Sequence, residues 1–99
     1  MDAAQLTGTG TGQVDLRLPE ALLALFPGAP RRLHLGAGSV RELIAELDRR
    51  WPGMSDRLTD SRPAIRKHIN VFVDGERAGL DTPLDAGASV TILLAISGG

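Results

Sequence analysis

The stretch Ser39-Val40-Arg41-Glu42-Leu43-Ile44-Ala45-Glu46-Leu47-Asp48-Arg49-Arg50-Trp51 decides the fold, because it is the one long helix that the sequence writes. Ser39 followed by Glu42 is a capping box, in which the serine hydroxyl accepts from the amide of the third helical residue and the glutamate reaches back. Val40, Leu43, Ile44, Leu47 and Trp51 recur at helical spacing and form one apolar stripe, while Arg41, Glu42, Glu46, Asp48 and Arg49 face away. Pro52-Gly53 stops the helix, and Trp51 reads as core at its end. Burying those side chains contributes roughly 1.5–3 kcal/mol each, against about 1 kcal/mol for the cap. Packing therefore decides that the helix forms, and the cap decides where it starts.

Strand signals lie on both sides of this helix. Before it, Val14, Leu16 and Leu18 alternate with Asp15 and Arg17 until Pro19, and Arg31-Arg32-Leu33-His34-Leu35 alternates again. Between the two, residues 20–30 carry Leu22, Leu23, Leu25 and Phe26 ahead of Pro27-Gly28, which reads as a short helical turn or an apolar lid. After it, residues 53–68 read as a long polar loop with one turn around Met54–Leu58, a candidate functional loop or insertion. Ile69, Val71 and Val73 alternate with Asn70 and Phe72 up to the turn signal Asp74-Gly75, a short pairing follows around Glu76–Ala78, and Ser89–Leu94 forms the final strand. One helix against a mixed sheet of four to five strands is an α+β two-layer domain. The order fits a β-grasp, with the first and last strands parallel at the centre; a ferredoxin-like fold needs a second long helix that is missing.

The 99 residues have room for a single core. They divide into a flexible N-terminal extension over 1–12, the β-grasp domain over 13–94 and an extended tail over 95–99 that ends in Gly98-Gly99. In a chain this rich in glycine, that dipeptide falls at the end by chance in about 1.5% of cases. Glycine has no Cβ, so two in succession thread a channel that excludes ordinary backbone. The tail reads as a carboxylate for delivery into another protein's active site.

Composition removes several alternatives. There is no cysteine, hence no disulfide, thiolate metal site or catalytic thiol. Two histidines, His34 and His68, without clustered carboxylates at ligand spacing make no metal site. Thr7-Gly8-Thr9-Gly10-Thr11-Gly12 precedes a strand rather than opening a helix and lacks the Lys-Ser/Thr of a phosphate loop. The net charge of −1 divides into −2 over residues 1–30, +4 over 31–67 and −3 over 68–99. The basic middle, with Arg49, Arg50, Arg57, Arg62, Arg66 and Lys67, lacks the interleaved aromatics that stack bases and also carries acidic residues. It reads as a solvated face or a contact for an acidic partner, not as a nucleic-acid site. Asp56 and Asp60 read as solvated carboxylates. No apolar run is long enough to span a membrane and no signal peptide is present, so the expected compartment is the cytoplasm.

Three segments carry a family resemblance: His68-Ile69-Asn70-Val71-Phe72-Val73-Asp74-Gly75, then Leu84-Asp85-Ala86-Gly87-Ala88-Ser89-Val90-Thr91-Ile92-Leu93, then the terminal Ser97-Gly98-Gly99. With the strand-strand-helix front half, residues 13–99 resemble the ubiquitin-like sulfur carriers related to ThiS and MoaD, nearest to the CysO-type carriers of cysteine biosynthesis. Leu94 stands where many of those relatives carry proline. The resemblance implies a protein that is not an enzyme and binds no cofactor. An E1-like adenylyltransferase partner holds ATP and adenylates the carboxylate of Gly99, sulfur from a sulfide or persulfide source replaces AMP, and a sulfur-accepting synthase uses the thiocarboxylate. Ile96, Ser97 and Gly98 would thread the partner's active site.

Strand parity adds a docking surface. If Ile69, Val71 and Val73 face the helix, Phe72 faces away; likewise Val90, Ile92 and Leu94 face in, while Thr91 and Leu93 face out. Phe72 and Leu93 are then exposed apolar residues and the expected partner interface, unless residues 20–26 cover them as an intramolecular lid. Two other functional classes share these features: a protein modifier conjugated through Gly99, and a β-grasp interaction domain in which Gly98-Gly99 is incidental.

Overall fold

The computed structural model describes residues 13–60 and 64–94. The expected extension over 1–12 and tail over 95–99 lie outside these residues. Eight elements follow one another: β1 (Gln13–Arg17), α1 (Glu20–Leu25), β2 (Arg32–Gly36), α2 (Val40–Arg50), α3 (Met54–Leu58), β3 (Ile69–Val73), β4 (Glu76–Ala78) and β5 (Ser89–Leu94). The five strands form one mixed sheet in the order β2-β1-β5-β3-β4. Here β1 and β5 run parallel, with Leu16 opposite Val90, and every other pairing is antiparallel. This is the β-grasp arrangement, its first and last strands adjacent in the middle of the sheet.

Why α2 crosses one face of that sheet follows from its stripe. Val40, Leu43, Ile44 and Leu47 are buried and meet the inward residues of the strands, among them Val14, Leu16, Leu35, Val71, Val90 and Ile92. Trp51 is only half-buried, packed against the rim of this core. The cap is present, with Ser39 Oγ accepting from the Glu42 amide at 3.1 Å. Its return leg is shifted by one residue, since Glu42 Oε1 accepts from the amide of Gly38 at 2.9 Å. The first-turn amides of Val40 and Arg41 donate to the carbonyls of Thr82 and Leu80, which fixes the start of α2 to the segment leading into β5.

Residues 53–68 are not one open loop. Met54 and Leu58 lie four apart on α3, and both are fully buried. Asp48, at the end of α2, accepts from the amides of Gly53 at 3.0 Å and Ser55 at 3.1 Å, so its carboxylate caps α3 from outside. Gly53 sits at φ +98°, a conformation that a side chain would strain. An isolated bridge between Thr59 and Ile65 closes the following loop. The turn expected around Met54–Leu58 is therefore a short helix, and its two buried side chains make it part of the core. Asp56 is exposed as expected, whereas Asp60 is half-buried.

The β3–β4 hairpin is the turn that Asp74-Gly75 announced, with both residues at positive φ, +51° and +87°. Asp74 Oδ1 also accepts from the Ser89 amide at 2.9 Å, tying the hairpin to the start of β5. Parity holds along β3 and β5, but burial falls off at the strand ends, where Val73 is half-buried. Leu94 does lie on the helix side, where it lines a cleft with Leu22 and Ile69, but it stays 40% exposed because no helix extends over the end of β5.

Leu16→Ala is expected to lower stability by about 2–5 kcal/mol, read as a lower urea midpoint at unchanged slope, because the site lies at the centre of the sheet with no room to collapse. Asp48→Ala is expected to cost about 1 kcal/mol through loss of the α3 cap. The Ser55 amide, then its hydroxyl, then the Gly53 amide hold the Asp48 carboxyl below the ordinary 3.8. Its contribution is thus fully present above that value and lost as the pH falls through the lowered one, so the variant's deficit should shrink in acid titrations of stability.

Candidate functional site

The end of β5 positions the site. β5 is held between β1 and β3 as far as Thr91, which pairs with Arg17, and β3 alone follows it to its end, with Asn70 opposite Leu93 and Ile69 opposite Leu94. Residues 95–99 continue from this point, and Ile96, Ser97, Gly98 and Gly99 lie outside the described residues. Five extended residues reach about 17 Å. A carboxylate at Gly99 can therefore work well away from the core.

Opposite the helices, the sheet carries an open face, and its register sets a row across all five strands. Arg32 pairs with Arg17, Arg17 with Thr91, Thr91 with Phe72, and Phe72 with Arg77. Phe72, expected to be exposed, is half-buried, with Thr91 and Arg77 as its cross-strand neighbours. Leu93 is 46% exposed on the same face. The structure thus brings the two expected interface residues to one surface, on adjacent strands. The alternative of a lid over them does not hold: α1 inserts Leu22 into the core on the helix side and leaves the Phe72 face uncovered.

Charge on the open face is uneven. Asp15 takes a two-pronged hydrogen bond from Arg32, with Nε at 2.9 Å and Nη2 at 2.7 Å, and His34 Nε2 lies 3.9 Å from the same carboxylate. The Arg32 hydrogen bond holds the Asp15 carboxyl below the usual aspartate range, with charge from Arg32, His34 and Arg17 acting in the same direction. Arg17 and Arg77 form no ion pair among the described residues, and they bracket Thr91 and Phe72 in the row. Sequence reading missed these two arginines, because neither lies in the basic middle segment and only the strand register places them in the row that holds Phe72.

Elsewhere the basic residues are largely spoken for. Arg49 and Arg50 both bond Glu46, at 2.6 and 2.8 Å, so the helical part of the basic segment is a neutralised, solvated face. Arg66 donates to the carbonyl of Asp56 at 2.7 Å. Arg62 lies outside the described residues. His34 and His68 sit on different strand regions, and among the described residues no three side chains of metal-binding type gather. None of the described helices is long and apolar enough to cross a membrane.

Comparison with known proteins places this geometry. The model of the ThiS family matches residues 24–99. The sulfur carrier protein CysO of Mycobacterium tuberculosis is 32% identical over 84 residues, which cover 79% of this chain and 90% of the relative. A chain of the Amycolatopsis orientalis BexX/CysO complex superposes with a TM-score of 0.77 at 28% identity, over 87% of this chain and 99% of its own length. Crystalline Mycobacterium tuberculosis CysO superposes with a TM-score of 0.74 at 27% identity, over 84% and 99%. With the central β5, its uncovered sheet face and a family match that runs to the last residue, the chain belongs to the ThiS family of ubiquitin-like sulfur carriers, which act as co-substrates rather than as enzymes.

Proposed function

We propose that the reacting group of this sulfur carrier is the carboxylate of Gly99, and that an E1-like adenylyltransferase activates it with ATP. The observation that carries the reading is the placement of β5 at the centre of the sheet, with a five-residue tail continuing from Leu94. An ionised carboxylate resists attack by sulfide, because attack concentrates negative charge and its oxygen leaves poorly. On the partner, a Gly99 oxygen attacks the α-phosphorus of ATP and expels pyrophosphate, forming a mixed anhydride. Hydrosulfide then adds to the acyl carbon, AMP departs with the former carboxylate oxygen, and a proton is released as the thiocarboxylate forms. A persulfide source serves equally, provided that a thiol cleaves its S–S bond. A sulfur-accepting synthase takes the sulfur, and the compartment is the cytoplasm, where ATP and such partners reside.

In this reading the chain supplies presentation rather than catalysis. Gly98 and Gly99 pass a channel that side chains would block, Ser97 adds little width, and Ile96 offers an apolar anchor inside it. Phe72 and Leu93 dock on the activating partner, and Arg17 and Arg77 favour a partner surface with acidic residues around an apolar centre. A solved relative, CysO of Amycolatopsis orientalis, forms a complex with BexX, which supports docking on a second protein as the working state.

Deleting Gly99, which leaves the carboxylate on Gly98 one residue short, is expected to abolish ATP–pyrophosphate exchange by the activating enzyme while leaving thermal unfolding unchanged; exchange at the original rate would show that the carboxylate need not stand at Gly99. Phe72→Ala is expected to weaken partner binding about tenfold in titration calorimetry with little loss of fold. An unaltered affinity would show that the open sheet face is not the docking surface.

A further inference from the structure

Where β5 leaves the sheet, the helix side is not closed. A cleft of about 780 Å³ opens there between α1, the turn after α2, and α3. Leu25, Phe26 and Leu94 give it an apolar side, and Arg57, Arg66 and His68 stand at its edge, opposed by a single carboxylate, Asp56. Leu25 is 51% exposed and Leu94 40%, and with Leu93 they are the large hydrophobic side chains that the described surface leaves most open. Two of these three therefore flank one cationic cleft, and the third lies next to it in sequence on the opposite face.

We infer that this cleft receives a segment of the activating partner in which an apolar side chain is flanked by a carboxylate, placed at the mouth of the channel that takes the tail. The inference rests on the sulfur-carrier reading above and adds a second contact to the sheet-face docking. Geometry forces the proximity. The tail reaches only about 17 Å from Leu94, so a partner that encloses Gly99 must bring its channel mouth close to Leu94. Leu94 is itself a wall of the cleft. Charge selects the chemistry: Arg57 forms no ion pair among the described residues, and two arginines, Arg57 and Arg66, share the cleft with the single carboxylate of Asp56. Leu93 and Leu94 point to opposite faces, so a partner that covers both grips the root of the tail from two sides and fixes the direction in which it leaves.

The test uses the full-length chain, the purified E1-like adenylyltransferase of the same organism, and ATP–pyrophosphate exchange. Leu25→Ser and Arg57→Glu alter exposed positions, and circular dichroism with thermal unfolding verifies that each variant folds. Each is expected to raise the KM for the carrier about tenfold with kcat unchanged, and the Arg57→Glu defect should fall in high salt. Phe72→Ala serves as the sheet-face comparison. An unchanged KM in both cleft variants, with exchange intact in the parent, overturns the cleft contact and leaves the carrier reading standing. A lowered KM overturns it too and identifies the chain's own tail as the occupant. Self-association of the parent that both variants abolish in sedimentation assigns the cleft to a second copy instead. No exchange with the parent protein removes the carrier reading and the cleft contact with it.

Discussion

The parallel pairing of β1 with β5 is the constraint on which the rest of the structure depends. It places Leu16 opposite Val90 and brings the last strand between two others, so that β5 is hydrogen-bonded on both flanks. An edge strand would fray near its end, and a tail attached to it would have no fixed origin. In β5 the ladder is closed on both sides as far as Thr91, β3 carries it on to Leu94, and the alternate residues Val90 and Ile92 are buried in the core. The parallel pairing needs a long crossover, and the chain spends its middle on it: α2, α3 and the β3–β4 hairpin all lie between the two partner strands.

A second consequence is the separation of the two faces. Every described buried residue of the core is apolar, and the charged side chains of β1 and β2 lie on the open face. That face is a mixture of paired and unpaired charge: Asp15 takes the Arg32 bond, while Arg17 and Arg77 bracket Thr91 and Phe72 and form no ion pair among the described residues. An interface built this way draws its affinity from the apolar centre and its orientation from the charges around it. The division of labour suits a carrier that must dock in one register and then let go.

Much of this was legible in the sequence, and the exceptions have physical causes. α2 announced itself by its cap and stripe, the β3–β4 hairpin by Asp74-Gly75, and the strands by alternation, so the order of elements followed and with it the β-grasp. The turn expected around Met54–Leu58 is the five-residue helix α3, but its packing was not legible, because Met54 and Leu58 give a single repeat of the helical period within a polar stretch. Leu94 was expected to be buried because parity assigns a side chain to a face, not to a covered part of that face. Asp48 looked like part of a solvated helical surface, and only the turn at Pro52-Gly53 brings the amides of Gly53 and Ser55 onto it. The residues of the cleft, Leu25, Arg57, Arg66 and Leu94, come from four separate segments, and no spacing in the sequence links them. Phe72 and Leu93 were found by parity, whereas Arg17 and Arg77 required the register.

The central claim is that sulfur is carried on Gly99. It is tested most directly by incubating the protein with its activating enzyme, ATP and a sulfide source, then measuring the intact mass and mapping the C-terminal fragment. Mapping is needed because oxidation of a methionine, Met1 or Met54, adds nearly the same mass as replacing oxygen by sulfur. The account predicts an ATP-dependent sulfur-for-oxygen gain confined to Gly99. A folded protein whose C-terminal fragment keeps its original mass under these conditions would contradict it.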